Sequence, residues 1–138
     1  MTRTEMREEA FKLLYSLEIQ KENVEEQIDL FIENNKIEYK KAVEYIKDVV
    51  SGVENNKTEI LGYINRNLKQ DWTIDRISTS NLVILKLAIY EIVYKNIPYK
   101  AAIDEAVKIG KKYGEESSKV FINGILASLV RELGLEEN

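Results

Sequence analysis

The sequence predicts an all-α fold of about seven helices, and three observations lead to that prediction. The 138 residues include only one Pro and six Gly, so residues that interrupt helices are few. Apolar residues recur at intervals of three and four, which is the spacing of a helix with one buried face. Few runs of β-branched residues are bounded by turn signals, as strands would be. At this length one core suffices, and we expect a single domain over residues 1–138.

The first four helices are delimited by a candidate cap and by polar breaks. Thr4 is a candidate N-cap for a first helix that ends near Gln20. The apolar stripe of this helix is expected to face the core, with Arg3, Arg7 and Glu8 outside it. Polar sequences follow the second and third helices and end them. These helices and the fourth are predicted over Val24 to Ile32, Tyr39 to Val53 and Thr58 to Leu68.

A connection that contains the one Trp separates these helices from the last three. Trp72 is expected to plug the core between helices, and Thr73 or Asp75 to cap the fifth helix. The fifth helix is apolar on most sides, which predicts nearly complete burial. Pro98 disfavours helical structure at Ile97, before the sixth helix. The last three helices are predicted over Ser80 to Lys95, Tyr99 to Lys112 and Ser117 to Leu133.

One glycine falls inside the predicted seventh helix. Gly124 follows Asn123 there, and Gly in a helix interior costs roughly 1 kcal/mol relative to Ala. A compensating structural reason is therefore expected. The prediction is that two helices cross closely at Gly124.

The composition disfavours several classes of protein. With no Cys and no His, the chain lacks a thiolate, an imidazole base and the usual zinc ligands, so we expect no enzyme, no metal and no cofactor. A net charge of −4 argues against binding nucleic acid through bulk positive charge, so any such site must be local. The N-terminal residues are charged, and no apolar run approaches the roughly 20 residues of a membrane span. A cytoplasmic location without membrane contact is expected.

Four segments of the C-terminal half follow one another in a specific order. They are Ile97-Pro98-Tyr99, Asp104-Glu105-Ala106-Val107, Tyr113-Gly114 and Phe121-Ile122-Asn123-Gly124-Ile125-Leu126. Together with Ala10, Leu14 and Tyr15 in the first helix, this set resembles the NusB family of bacterial transcription antitermination factors. The resemblance covers nearly the whole chain. It implies an all-α fold of two packed helical bundles.

The resemblance also implies a function and partners. A protein of this family binds the boxA element of single-stranded nascent RNA jointly with NusE, itself a small-subunit ribosomal protein. Through that complex it acts with RNA polymerase and other Nus factors. The implied result is suppression of premature termination in transcription, notably on ribosomal RNA operons.

Basic residues supply candidate contacts to RNA phosphates. Arg3 and Arg7 stand one helical turn apart near a helix N-terminus, so both guanidinium groups can reach one phosphate track. The alternative is that Arg7 pairs with a neighbouring glutamate on a solvated face. Lys112 and Lys119 extend the basic surface if they converge with these arginines, and otherwise belong to solvated helix faces.

Aromatic and hydroxyl side chains supply the other RNA candidates, because single-stranded RNA is recognised through stacking and base edges. Phe121 is the preferred stacking residue, with core packing as the alternative, and Tyr15 and Tyr113 are further available rings. Ser117 is expected to cap the last helix, to contact RNA, or both. For NusE, the resemblance implies contacts by Trp72, Arg76 and Asn81.

Two other classes of function stay open. A protein-only helical adaptor, which touches no nucleic acid, fits the negative net charge and the thin clustering of basic residues. Salt dependence separates the two hypotheses, since phosphate contacts weaken steeply with ionic strength. An enzyme ranks third, and no glycine-rich turn after a strand is present to hold a nucleotide cofactor.

Overall fold

The computed structural model describes residues 1–136, and this part of the chain contains seven α-helices and no strand. The predicted all-α class is confirmed. The helices are α1 (Arg3–Ile19), α2 (Val24–Asn34), α3 (Lys40–Asn55), α4 (Lys57–Arg66), α5 (Thr79–Tyr94), α6 (Tyr99–Tyr113) and α7 (Ser118–Glu132). A short 3-10 turn over Ile74–Arg76 precedes α5. The chain divides into two compact units, of which the first is Met1–Asn56 and the second begins at Lys57.

In the first unit, α3 packs against both α1 and α2. Thr2, and not Thr4, caps α1: its hydroxyl accepts a hydrogen bond from the Glu5 backbone N–H at 3.1 Å. The Glu5 carboxylate in turn accepts one from the Thr2 N–H at 2.7 Å. This reciprocal capping box requires an acidic or amide side chain three residues after the cap, where Thr4 has Arg7. The backbone hydrogen bond from Thr2 also holds the pKa of Glu5 below its ordinary value.

In the second unit, α5 packs against α4, α6 and α7. Every residue from Val83 to Ile92 is buried, as the apolar pattern predicts. The cap of α5 is Ser78, whose hydroxyl accepts a hydrogen bond from the Asn81 backbone N–H at 3.3 Å. The prediction of Thr73 or Asp75 as this cap is wrong because both lie at the 3-10 turn, where the Thr73 hydroxyl donates to the Asp75 carboxylate.

The close approach between α6 and α7 occurs at Gly110 and Gly114. A Cβ on Gly110 would lie 2.9 Å from Ile122 Cδ1. A Cβ on Gly114 would lie 2.7 Å from the Gly110 carbonyl oxygen and 2.8 Å from Ser118 Cβ. The predicted crossing at Gly124 is wrong, because Gly124 is exposed and nothing lies within 4 Å of a Cβ there.

None of the helices in residues 1–136 is both long enough and apolar enough to cross a lipid bilayer.

Candidate nucleic-acid interface

An aromatic pair lies on the surface of the second unit. Trp72 and Phe121 have ring centroids 5.6 Å apart and planes inclined by 40°. Trp72 is 38% exposed, so its prediction as a core plug is wrong. The physical reason is that Trp72 lies in a tight turn between α4 and the 3-10 turn. Its backbone N–H donates a hydrogen bond to the Lys69 carbonyl oxygen at 2.9 Å. Phe121 is partly exposed in the first turn of α7, so its ring is accessible to a ligand.

Arg76 completes this aromatic cluster. Its guanidinium carbon lies 4.9 Å from the centroid of the Trp72 ring, within the range of a cation–π interaction. Its Nη1 donates a hydrogen bond to the Asp71 carbonyl oxygen at 3.0 Å. The guanidinium group is therefore held in one place, and it adds positive charge beside the two rings.

The aromatic pair is the wall between two hollows of the surface. Trp72, Phe121 and Ser117 line both of them. The larger hollow has a volume of about 610 Å³ and lies between the residues that follow α4 and the outer face of α7. The smaller has a volume of about 310 Å³ and includes residues at the start of α5. Both volumes are in the range of pockets that bind small molecules.

Two cations line the larger hollow from different elements. Lys69 lies in the connection after α4, and Arg131 lies in the last turn of α7. Both residues are exposed. The surface between them is largely apolar, since Val120 is 77% exposed and Gly124, which has no side chain, is also exposed. The sequence did not single out Lys69 or Arg131, since each stands alone among residues of other types. Only the packing of α4 against α7 brings them to one hollow.

Hydrogen bonds tie the two walls of the larger hollow together. The Ser128 hydroxyl donates to Asn67 Oδ1 at 2.6 Å. Asn67 Nδ2 donates to Glu132 Oε1 at 2.7 Å, and Arg66 Nε donates to Glu132 Oε2 at 2.9 Å. The hydrogen bond from Asn67, with a further contribution from Arg66, holds the pKa of Glu132 below its ordinary value. This network fixes the end of α4 against α7.

The smaller hollow contains a buried amide. Asn81 is only 8% exposed, and its Oδ1 atom is buried and accepts no hydrogen bond from the described residues. A buried acceptor without a donor costs about 1–3 kcal/mol. Arg76 and Glu115 supply the charged groups of the lining. The hollow thus combines an aromatic wall and charged groups of both signs, with one unpaired acceptor buried beside it.

The two serines at the start of α7 have different environments. Ser117 precedes α7 but makes no capping hydrogen bond, so its role as a cap is wrong. Its backbone is already helical, with φ −79° and ψ −9°, whereas a capping residue is extended. Ser118 is buried, and its hydroxyl oxygen accepts a hydrogen bond from the Glu115 backbone N–H at 2.8 Å. Ser117 itself is exposed beside the aromatic pair.

Arg3 and Arg7 have different environments in the first unit. Arg3 is exposed, with its guanidinium carbon 6.0 Å from the centroid of the Tyr45 ring. Arg7 is only 5% exposed, so the prediction that it lies outside the core is wrong. The reason is helical register, since Arg7 precedes the buried Ala10 by three residues and therefore shares its face. Tyr15 is 36% exposed, and its ring centroid lies 6.0 Å from that of Phe11.

The predicted lysines lie on the surface of the second unit. Lys112 is exposed, and its Nζ lies 5.5 Å from the centroid of the Tyr113 ring. Lys119 is exposed in the first turn of α7, two residues before Phe121. Both cations can therefore contact a ligand on this unit.

These groups suit binding better than catalysis. The described surface presents accessible rings and exposed cations, which are groups that hold single-stranded nucleic acid. In residues 1–136, no group of three or more His, Cys, Asp or Glu side chains is placed to hold a metal ion.

Comparison with known proteins points to one family. The NusB family model matches residues 4–131. The transcription antitermination protein NusB of Clostridium botulinum is 43% identical over 134 residues, covering 96% of this chain and 100% of that relative. The protein of the same name from Acetivibrio thermocellus is 46% identical over 132 residues, covering 95% and 90%.

Solved structures are also similar to this chain over nearly its whole length. T. maritima NusB matches with a TM-score of 0.87 and 34% identity, covering 96% of this chain and 92% of that one. A structure of the antitermination factors NusB and NusE in complex with dsRNA matches with a TM-score of 0.85 and 27% identity. That match covers 96% of this chain and 99% of the other.

Proposed function

The chain belongs to the NusB family, and from this premise we propose that it acts as a transcription antitermination factor. It binds boxA-type single-stranded RNA together with NusE. The resulting complex acts with RNA polymerase and other Nus factors in the cytoplasm to suppress premature termination, notably on ribosomal RNA operons. The protein works by binding and not by catalysis.

The observation that carries the RNA-binding part of this proposal is the accessible ring of Phe121, set against Trp72 and next to fixed positive charge. Stacking on an aromatic ring is the general way in which proteins hold unpaired bases. Exposed cations on the same unit are available for the phosphates. The residues proposed to contact RNA are Arg3, Tyr15, Lys112, Ser117, Lys119 and Phe121, whereas Arg7 is buried and is not among them.

A net charge of −4 is compatible with this function if the RNA surface is completed by NusE. Few cations then suffice, because affinity arises from two proteins that hold one RNA. The proposed contacts with NusE are Trp72, Arg76 and Asn81, which the family resemblance supports.

A protein-only adaptor is the second candidate, and the negative net charge favours it. Such a protein would bind its partner through the largely apolar hollow around Val120 and leave RNA untouched. The two candidates differ in the effect of salt, since an apolar interface responds weakly to ionic strength.

The test is fluorescence anisotropy of a labelled boxA-type RNA, titrated with the protein alone and with NusE, at two salt concentrations. The proposed function predicts that NusE tightens RNA binding and that salt weakens it. The logarithm of the binding constant should fall with the logarithm of the salt concentration, with a slope of about −0.7 for each phosphate contact. Arg3→Glu should reduce that slope. Lys40→Glu is the matched control, because it reverses an exposed charge that has no proposed role. If the protein binds no RNA in either titration but still forms a complex with NusE, the result would favour the adaptor.

A further inference from the structure

We propose that the larger hollow holds the RNA strand beyond the base that stacks on Phe121, and that Lys69 and Arg131 each contact a phosphate of this continuation. The inference rests on the proposed function. It adds two cations and the outer face of α7 to the RNA contacts. Trp72, which is among the proposed contacts with NusE, forms only the wall between the two hollows, and the inference does not use it.

The first argument is the course of the hollow along α7. The hollow begins at Ser117 and Phe121, which are among the proposed RNA contacts, and it extends along the outer face of this helix to Arg131. Phe121 and Arg131 are ten positions apart in α7, which is about 15 Å along the helix axis. A strand with one base on the Phe121 ring can therefore place its next few nucleotides along this face.

The second argument is the charge of the hollow. Lys69 and Arg131 are exposed, and neither forms an ion pair with another residue of the range 1–136. The nearby Glu132 is instead held by Arg66 and Asn67. Among the described residues, no carboxylate lines the larger hollow, although the chain carries a net charge of −4. Two cations without a local counter-charge favour an anionic ligand.

The third argument is Gly124. Gly is unfavourable in a helix interior, and the packing of α7 gives no reason for it, because Gly124 is exposed and nothing lies within 4 Å of a Cβ there. Gly124 lines the larger hollow between Val120 and Ser128 of the same helix face. The missing side chain leaves the hollow open and lets a ligand approach the backbone of α7 closely.

An RNA strand matches these groups better than an apolar protein segment does. Such a segment would cover Val120, but it would also remove Lys69 and Arg131 from water without a counter-charge. RNA supplies a phosphate for each cation, and it supplies bases for the apolar surface between them. The strand is also already positioned at one end of the hollow by the proposed stacking on Phe121.

The test compares a short labelled boxA-type RNA with the same RNA extended by about three uridines at its 5′ end or at its 3′ end. Anisotropy titrations are made with NusE present, at about 50 and 200 mM salt. One of the two extended RNAs should bind more tightly than the short RNA. Two further phosphate contacts should also make it lose about sevenfold more affinity than the short RNA over this range of salt, at a slope of about −0.7 for each contact.

Substitutions locate the extra contacts. Lys69→Gln and Arg131→Gln should each reduce the slope for the extended RNA by about 0.7 and leave the short RNA unchanged. Arg131→Lys keeps the charge and should keep the slope. Lys100→Gln is the matched control, because it removes an exposed cation of α6 that has no proposed role.

Gly124→Gln tests the shape of the hollow without removing a charge. Open space surrounds this position, so the variant should fold with an unchanged melting temperature. Its side chain should fill the hollow and abolish the gain in affinity from the extension, while binding of the short RNA persists. The two lysine and arginine variants carry the test if Gly124→Gln lowers the melting temperature.

Three results would overturn the inference. Equal affinity of the short RNA and both extended RNAs would remove the continuation, while salt-dependent binding of the short RNA would leave the proposed function standing. If Lys69→Gln and Arg131→Gln weaken NusE binding in the absence of RNA and leave the gain from the extension unchanged, the hollow belongs to a protein interface. If the wild-type protein binds none of these RNAs with NusE present, both the inference and the proposed function fail.

Discussion

Trp72 and Phe121 come from separate elements, yet their ring centroids lie 5.6 Å apart on the surface of the second unit. Trp72 is held by a backbone turn and by Arg76, and Phe121 by the first turn of α7. Neither ring is enclosed by the core, although both are large apolar groups. Exposed aromatic groups that the fold fixes in place are typical of a binding surface.

The first prediction concerns stacking by Phe121. Phe121→Ala should weaken binding of boxA-type RNA by roughly 5- to 150-fold, which corresponds to the loss of about 1–3 kcal/mol per stacked base. Because Phe121 is only partly buried, the thermal unfolding curve should shift little. Phe121→Tyr keeps a ring and should retain affinity. Anisotropy and circular dichroism measure the two properties, and cooperative loss of the fold in Phe121→Ala would assign the residue to the core instead.

The second prediction separates the two N-terminal arginines. Arg7→Glu should lower the free energy of unfolding by several kcal/mol, because it places a carboxylate at a buried position that a cation occupies in the wild type. Arg3→Glu, at an exposed position, should weaken RNA binding and change stability by less than about 1 kcal/mol. Urea unfolding of both variants measures the difference. Equal stability of the two would mean that the Arg7 side chain reaches solvent.

Sequence patterns predicted the helices well because each depends on local spacing. The apolar period placed all seven helices close to their observed bounds, and the nearly continuous apolar sequence of α5 correctly indicated its burial. The apolar stripe of the first helix also predicted Arg7 outside the core, and this prediction is wrong. A stripe of apolar residues is broad enough to include a neighbouring charged one.

Features that depend on contacts between elements were harder to predict. The cap of α1 is Thr2 and not Thr4 because Glu5 completes a capping box with Thr2, a pattern that the sequence contains. Trp72 was predicted in the core between helices, whereas it lies in a turn at the surface. The convergence of Lys69 and Arg131 has no local signal, since it arises from the packing of α4 against α7.

The third prediction compares Gly114, which directly follows α6, with Gly124 inside α7. Gly114→Ala should destabilise the protein by about 1–3 kcal/mol, because the new methyl group would meet the Gly110 carbonyl oxygen and the Ser118 side chain. Gly124→Ala should be neutral or stabilise it by up to about 1 kcal/mol, since open space surrounds that position and Ala favours helix. Denaturant unfolding compares the pair. The reverse order of stabilities would contradict the crossing at Gly114.

The last prediction is a pH dependence from Glu132. Hydrogen bonds from Asn67 and Arg66 hold the pKa of Glu132 below the ordinary value that it regains on unfolding. The ionised carboxylate therefore contributes stability above the ordinary pKa, and this contribution is lost as the pH falls through the lowered one. Glu132→Gln should be less stable than wild type at about pH 7, by less than about 1 kcal/mol because the site is exposed to solvent. At about pH 3 the difference should shrink.

Urea unfolding at both pH values measures this difference in free energy. Glu116→Gln is the matched control, because it replaces an exposed glutamate that lies outside the network. A stability difference between wild type and Glu132→Gln that stays constant with pH would contradict the role of the charge. It would leave only the shape of the side chain to hold α4 against α7.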